Sequence, residues 1–383
     1  MASLETSTGM AGTGEGRPLR ILIVRIGAMG DILHALPAVV ALRRRYPDCF
    51  IGWAVEPGWS ELLEAVTARG NLDGVQPTGQ SEQKPLVDRW YRVPTKAWKR
   101  RMLTVGTVSD IRALRRQLRG EKFDVCVDMQ GSLKSAMVGR LAGARVLAGP
   151  AEPREKQAKW LYGVTVPQIT KHVVDQGCEV LGGALGEVLR PTRVTLPVDK
   201  ASEKWCDDLL GKILMGDEAF ALIAPRAGWG AKQWPAARFG AVAAELGRAG
   251  VRTLVNATGV RDEVAERVVW ASEGFATAVP CSVGQMIALT RRAAVVIGGD
   301  TGPLHMAAAL ERPVVGLYGP TDPTRNGPYV VGSRQVRSMV LRRATSVVDH
   351  TRHKETEAGL LQISVDEVVA AAMGLLSQPR RPW

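Results

Sequence analysis

Asp31 stands directly behind a Gly-Ala-Met-Gly turn in ILIVRIGAMGDILHALPAVV, between an apolar strand and an apolar helix. A carboxylate at a helix start has two uses. It can cap the helix, which stabilises by about 1 kcal/mol. It can also take a proton from a substrate held at a glycine-lined helix N-terminus, where bare N–H groups and the helix dipole favour an anion. The spacing alone leaves both open. It is neither the G-x-G-x-x-G dinucleotide fingerprint nor a Walker A loop, since no Gly-Lys-Ser/Thr follows. His34, one turn further on, is read as a packed or supporting side chain.

Two later stretches have the same strand–turn–helix character. In VVIGGDTGPLHMAAAL, the residues Asp300, Thr301 and Gly302 end an apolar strand, Pro303 suits a first helical turn, and His305 follows one turn on. A lone Asp-Thr-Gly is most simply a capped helix with a structural histidine. The nearby LYGPTDP, a second turn after the next strand, tilts the reading towards a nucleotide-sugar site. In APRAGWGAKQWP, a strand runs into a glycine-rich loop that carries Lys232, followed by Trp234-Pro235. A lysine there can offer a compact charge to a phosphate, although most lysines are simply solvated.

These turns need rigid elements to hold them, and the apolar runs supply a strand–helix rhythm. LRILIVRI, FIGWAVE, FDVCVDMQG and RVLAG read as strands, with helices expected in ILHALPAVVALRRRY, SELLEAV and SLKSAMVGRLAG. The rhythm breaks at 186–203 and restarts with AFALIAPRAG, RTLVNATG, AAVVIGGDTG and VVGLYGPT as strands. The expected architecture is α/β, with two Rossmann-like domains facing across a cleft and ligands at the carboxyl ends of the strands. Residues 1–18 read as a flexible tail, 19–190 as the first domain and 204–350 as the second. A helix at 364–378 is expected to pack across both.

At 383 residues with 45% hydrophobic content, the chain can bury two cores. No apolar run is long enough to span a bilayer, and the N-terminus lacks the makings of a secretory signal. Five scattered cysteines without a C-x-x-C pair suit a reducing compartment. The formal charge of +12 calls for an anionic partner: nucleic acid, phosphate-rich substrate or acidic membrane face. The basic blocks RRRYP, WKRR and LRRQLR lack the interleaved aromatics of a single-strand binder, which argues against nucleic acid. A basic nucleic-acid-binding α/β protein remains the non-enzymatic alternative.

ILIVRIGAMGDILHALPAV, WAVEPGW, VDMQGSLKSA, AKQWP, GGDTGPLHMAAAL and LYGPTDP occur in this order. Together they resemble the lipopolysaccharide heptosyltransferases of glycosyltransferase family 9, most of all the heptosyltransferase I group, over roughly residues 19 to 375. A heptosyltransferase II-like or other member of the family is the alternative. The resemblance implies a GT-B fold, ADP-heptose as donor, a Kdo residue of the lipid A inner core as acceptor, and inversion without a metal or other cofactor. It also implies a place on the cytoplasmic face of the inner membrane, whose anionic surface suits the basic chain.

The absence of any Asp-x-Asp pair agrees with metal-free transfer. Inversion by direct displacement needs one base, and Asp31 is the residue expected to fill that role. By resemblance, Lys232, Asp300, Thr301, Gly302 and His305 bind the donor, while Arg92, Lys96, Gln130 and Arg154 bind the acceptor. Two departures stand out. Ala227 and Gly228 replace a Thr-Thr pair, and Arg261 stands where relatives hold the donor ribose with a glutamate.

Overall fold

The computed structural model describes residues 17–64, 86–101, 104–216, 218–331, 337–349 and 351–378. The chain divides into two compact units. The first runs to Thr192, and the second begins at Arg193 and also takes in Ala28–Leu33.

In the first unit the elements are β1 (Arg20–Val24), α1 (Met29–Arg45, whose residues up to Leu33 fall in the second unit), β2 (Phe50–Val55), β3 (Arg89–Arg92), α2 (Thr95–Arg100) and α3 (Val105–Gly120). They continue with β4 (Val125–Asp128), α4 (Leu133–Ala142), β5 (Val146–Pro150), β6 (Val164–Val166) and α5 (Val173–Gly183). The sheet is parallel in the order β3-β2-β1-β4-β5-β6. The central strands β1 and β4 are continuous apolar runs because helices cover both sheet faces. Leu22, Val24, Tyr91, Leu114, Leu118, Phe123 and Val138 share one buried core.

The second unit repeats the plan. It holds α6 (Lys200–Ile213), β7 (Phe220–Ala224), α7 (Ala236–Arg248), β8 (Arg252–Ala257), α8 (Glu263–Ala271), β9 (Ala276–Pro280) and α9 (Val283–Arg292). Then come β10 (Val295–Gly299), α10 (Gly302–Ala309), β11 (Val314–Tyr318), α11 (Pro323–Asn326), β12 (Ser338–Arg342), α12 (Ala358–Leu361) and α13 (Val365–Leu376). The order β12-β11-β10-β7-β8-β9 is the first sheet's order over again, once β7 is counted as the first strand. Both are doubly wound Rossmann sheets of the expected α/β class. Each order reverses between two central strands, β1 and β4 in one sheet and β7 and β10 in the other, and ligands bind at the carboxyl ends beside such a reversal.

Several local expectations change. SELLEAV does not open a regular α-helix: Pro57–Leu62 forms a 3-10 turn begun by Pro57 and closed at Leu63, and residues 65–66 of that stretch lie outside the described residues. RWYR, which the apolar rhythm left unassigned, is the edge strand β3, with only Tyr91 buried. Arg17, placed in the expected tail, pairs with Asp124 at 2.6 Å. The interdomain stretch ends earlier than read, since α6 begins at Lys200 with Asp199 as its cap. The helix expected at 364–378 is α13, which packs on α7, β10, β11 and β12 of the second unit.

Candidate active site

At the carboxyl edge of the first sheet, the loops after β1 and β4 are tied together. The Ile26 N–H donates to Gln130 Oε1 at 2.9 Å, and Gln130 Nε2 donates to Ser132 Oγ at 3.0 Å. Trp53 Nε1 donates to the Arg25 carbonyl at 3.0 Å. Beneath them lies Asp128, fully buried. Its Oδ1 accepts from the Gln130 and Gly131 N–H groups at 2.9 and 3.1 Å, and its Oδ2 from Ser135 Oγ at 2.9 Å and Tyr162 OH at 2.7 Å. Burial pushes the Asp128 carboxyl up, and these bonds pull it back only in part. Asp128 therefore shapes the loop rather than meeting a ligand. Gln130, expected to line an acceptor cavity, has both ends of its carboxamide engaged in the same lacing.

Asp31 is the third residue of α1, and its Oδ2 accepts from the Ala28 N–H at 3.0 Å. That is the backward reach of a capping box, so the capping use of this carboxylate is real. The side chain is also partly exposed, which leaves it open to chemistry. His34 packs edge-on against His172, ring centroids 6.0 Å apart, as a supporting side chain should.

The other acceptor-side candidates line the same sheet edge. Arg92 ends β3 and is exposed, Lys96 lies in the first turn of α2, and exposed Arg154 follows β5. Lys96 Nζ sits 5.5 Å from the Trp59 ring centroid, a cation–π contact. One further cation escaped the sequence reading. Lys134 Nζ donates to Thr95 Oγ1 at 3.2 Å, and Thr95 in turn donates to buried Glu56 through its N–H at 3.1 Å and its hydroxyl at 2.7 Å. Both Glu56 and Lys134 lie in quoted motifs, WAVEPGW and VDMQGSLKSA, which was the available signal.

In the second unit, the turns after β7 and β10 bring Lys232, Asp300 and His305 together. The Lys232 ammonium and Asp300 Oδ2 form an ion pair whose side chains are only 10% and 6% exposed. His305 Nε2 bonds Asp300 Oδ1 at 2.9 Å. Burial alone would raise the Asp300 carboxyl. The bond and field of His305, with the Lys232 charge, outweigh burial and hold it well below the usual carboxylate range. Lys232 also lies over the Trp229 ring, 4.2 Å from its centroid, with Arg352 at 5.9 Å from the same ring.

The lysine loop is strapped in place. The Ala231 N–H donates to the His353 carbonyl at 3.1 Å, and the Glu357 N–H to the Ala231 carbonyl at 3.1 Å. A Cβ on Gly230 would stand 1.7 Å from the Lys354 carbonyl oxygen, so only glycine lets the strap close. Gln233 takes the Ala227 N–H at 3.2 Å and gives to the Pro225 carbonyl at 3.0 Å, which fixes the backbone at the Ala227-Gly228 departure. Buried Trp234 anchors the end of the loop against Phe239 at 4.9 Å.

Thr301 precedes α10 without capping it; its hydroxyl donates to the Gly299 carbonyl at 3.3 Å. With Pro303 in the first turn, the Gly302 N–H opens the helix without an intrahelical acceptor, an arrangement suited to an anion. At the second departure, Arg261 is exposed. Asp262 cannot substitute for a ribose-holding acid: it is buried, caps α8, and takes Arg226 Nε at 2.8 Å. Among the described residues, no three His, Cys, Asp or Glu side chains converge as a metal-ligand set.

The Asp300 cluster predicts an acid-sensitive stability. A depressed folded-state pKa contributes stability that is full above the unfolded aspartate value of about 3.9 and fades as pH falls below it. Asp300→Asn should therefore cost about 3 kcal/mol near neutrality, by stranding buried Lys232 and His305. The gap in Tm between wild type and variant should narrow as pH is lowered through the aspartate range. A gap that stays constant down to the acid limit of folding would mean the carboxylate is not held as described.

A family model described as glycosyltransferase family 9 (heptosyltransferase) matches residues 111–356. Lipopolysaccharide heptosyltransferase 1 of Salmonella typhimurium is 27% identical over 316 residues, covering 81% of this chain and 92% of that protein. Among solved structures, E. coli heptosyltransferase WaaC with ADP superposes with a TM-score of 0.69 at 24% identity, over 93% of this chain and all of that one. E. coli ADP-heptose lipopolysaccharide heptosyltransferase II gives 0.70 at 19% identity, over 94% and 98%. The fold shared with both is the two-Rossmann GT-B architecture, and with the family match covering well over half of its length, this chain is a glycosyltransferase and belongs to glycosyltransferase family 9.

Proposed function

We propose that the protein moves L-glycero-D-manno-heptose from ADP-heptose to a Kdo residue of the lipid A inner core, with inversion, in lipopolysaccharide core biosynthesis. It does so at the anionic cytoplasmic face of the inner membrane. The observation that carries the donor half is the Lys232–Asp300–His305 cluster beside the open N-terminus of α10, at the order reversal of the second sheet. The names of the relatives support the sugar, the nucleotide and the lipopolysaccharide acceptor.

In this reaction the acceptor hydroxyl attacks the anomeric carbon as the bond to the diphosphate breaks. Asp31 takes the hydroxyl proton. Charge grows on the departing ADP, and Lys232 with the first-turn N–H groups at Thr301–Gly302 faces that charge. Asp300 holds the lysine and His305 in place, since a carboxylate has no reason to meet a diphosphate directly. Arg92, Lys96 and Arg154 offer cations to the carboxylate and phosphates of the acceptor, while Gln130 fixes the loop beneath them.

The test is a matrix of nucleotide-sugar donors against Kdo-bearing and heptosylated acceptors, reading free ADP. Release confined to ADP-heptose with a Kdo acceptor is expected. Release only with an already heptosylated acceptor would move the protein to a heptosyltransferase II-like step, and release only with ADP-mannose would overturn the donor assignment.

A second outcome follows from the electrostatics. With the diphosphate met by Lys232 and a helix N-terminus, turnover of a soluble acceptor should persist in excess EDTA, with at most a modest rise when magnesium is returned. Complete loss on chelation, restored by magnesium alone, would contradict this account of the leaving group.

A further inference from the structure

One outer face of the first unit has a composition that the proposed reaction does not use. α3 packs beside α4, and α4 beside the 3-10 turn Lys156–Leu161, forming one layer over the sheet. At 3.6 residues per turn, Val105, Val108, Arg112, Arg115, Arg116 and Arg119 fall within an arc of about 100° on α3. All six are exposed, with Val105 88% open to solvent. The buried side chains Thr107, Leu114 and Leu118 point the opposite way, into the sheet. The helix's one acid, Asp110, lies outside the stripe.

The neighbouring elements continue the pattern. On α4, Leu133, Met137 and Arg140 share the outward face at i, i+4 and i+7, with Met137 57% exposed. On the 3-10 turn, Trp160 is 83% exposed and flanked by exposed Lys156 and Lys159. Exposed tryptophan, methionine, leucine and valine on one surface are costly in water unless something apolar covers them. Arginines and lysines interspersed among them specify that the cover is anionic as well. A nucleic acid would pair with the cations and could stack a base on Trp160, but would leave Met137 and Leu133 without an apolar cover. A bilayer rich in anionic headgroups satisfies both: tryptophan favours the headgroup level, and basic side chains reach the phosphates.

We propose that this face, the outer surface of α3, α4 and the Lys156–Leu161 turn, is the surface by which the protein lies on an anionic membrane. Trp160, Met137 and Leu133 enter the headgroup layer, and the arginine stripe of α3 binds lipid phosphates. The inference rests on the membrane-surface reading given above and names the residues that carry it.

The experiment is co-sedimentation of the full chain with phosphatidylglycerol-rich vesicles and with phosphatidylcholine vesicles. Two variants are compared with wild type: Arg112→Glu/Arg115→Glu/Arg116→Glu, and Trp160→Ala/Met137→Ala. Wild type should bind the anionic vesicles, and bind them less as salt rises. The charge-reversal variant should bind at least about tenfold more weakly, and the apolar variant several-fold more weakly with less change in salt dependence. Every substituted side chain is exposed, so both variants should keep the wild-type Tm and wild-type ADP release with a water-soluble Kdo acceptor. Wild type that fails to bind anionic vesicles, or variants that bind as wild type does, would overturn the proposal. So would binding of duplex DNA, but not vesicles, through the same arginines. Vesicle binding and turnover of the soluble acceptor fail separately, so loss of one does not implicate the other.

Discussion

Asp31→Asn should keep the fold and the donor affinity of the wild type and lose at least about a hundredfold in kcat, as removal of a general base does. The expectation separates the two uses of this carboxylate. Asp31 Oδ2 accepts the Ala28 N–H at 3.0 Å, and an asparagine carbonyl can accept the same bond. If capping were the residue's whole purpose, the asparagine variant would turn over normally. Asp31→Ala would then be the damaging change, losing about 1 kcal/mol of stability. If Asp31 takes the acceptor proton, both variants lose turnover alike and only the alanine variant loses Tm. Turnover, thermal unfolding and ADP binding on the same two variants decide between them. Near-normal turnover in Asp31→Asn would return Asp31 to a purely structural role.

The elements that position Asp31 and Lys232 were legible because they are the central strands. β1, β4, β7, β10 and β11 are buried almost throughout, so their apolar runs are uninterrupted, and the turns behind them carry the glycines and prolines. The edges were not. In β3 only Tyr91 faces the core, so Arg89-Trp90-Tyr91-Arg92 lacks the apolar run that marks a strand. β12 is likewise half solvated. α3 buries just Thr107, Leu114 and Leu118, and its outward valines and arginines blur the helical period. α9 did carry a readable signal, the Ser282–Gln285 capping box, ahead of its buried run.

The candidate site shows the same division. Residue types near a glycine turn can be picked out along the chain, but their partners cannot. Lys232 and Asp300 lie 68 residues apart, and only the adjacency of β7 and β10 brings their loops together. Gln130 illustrates the converse. Its place after β4 marked it as an acceptor contact, and the structure adds bonds to Ile26 and Ser132 that tie the two loops together, a use that no reading along the chain reveals.

That pairing also reshapes what Lys232 can do. Its charge is not held in reserve for a phosphate; Asp300 already neutralises it in a nearly dry setting, with the Trp229 ring against the ammonium. The carboxylate fixes where the ammonium sits, and the diphosphate must draw on the lysine's remaining donors. Lys232→Ala should then lower kcat by roughly a hundredfold, the scale on which one preorganised donor to developing charge acts. Donor KM should change less than kcat, because the charge on ADP is greatest as the glycosidic bond breaks. The variant also strands Asp300 with only His305, so Tm should fall. Lys232→Arg distinguishes chemistry from stability: it restores the ion pair, but its planar guanidinium cannot place a compact charge at the same point. Recovery of Tm without recovery of kcat is the expected result. Asp300→Asn keeps the lysine, so it should retain ADP affinity better than Lys232→Ala while still losing turnover through misplacement of the ammonium. If Lys232→Ala left both kcat and donor KM unchanged, the lysine would be a buried structural cation, and the leaving diphosphate would have to rely on the α10 N-terminus alone.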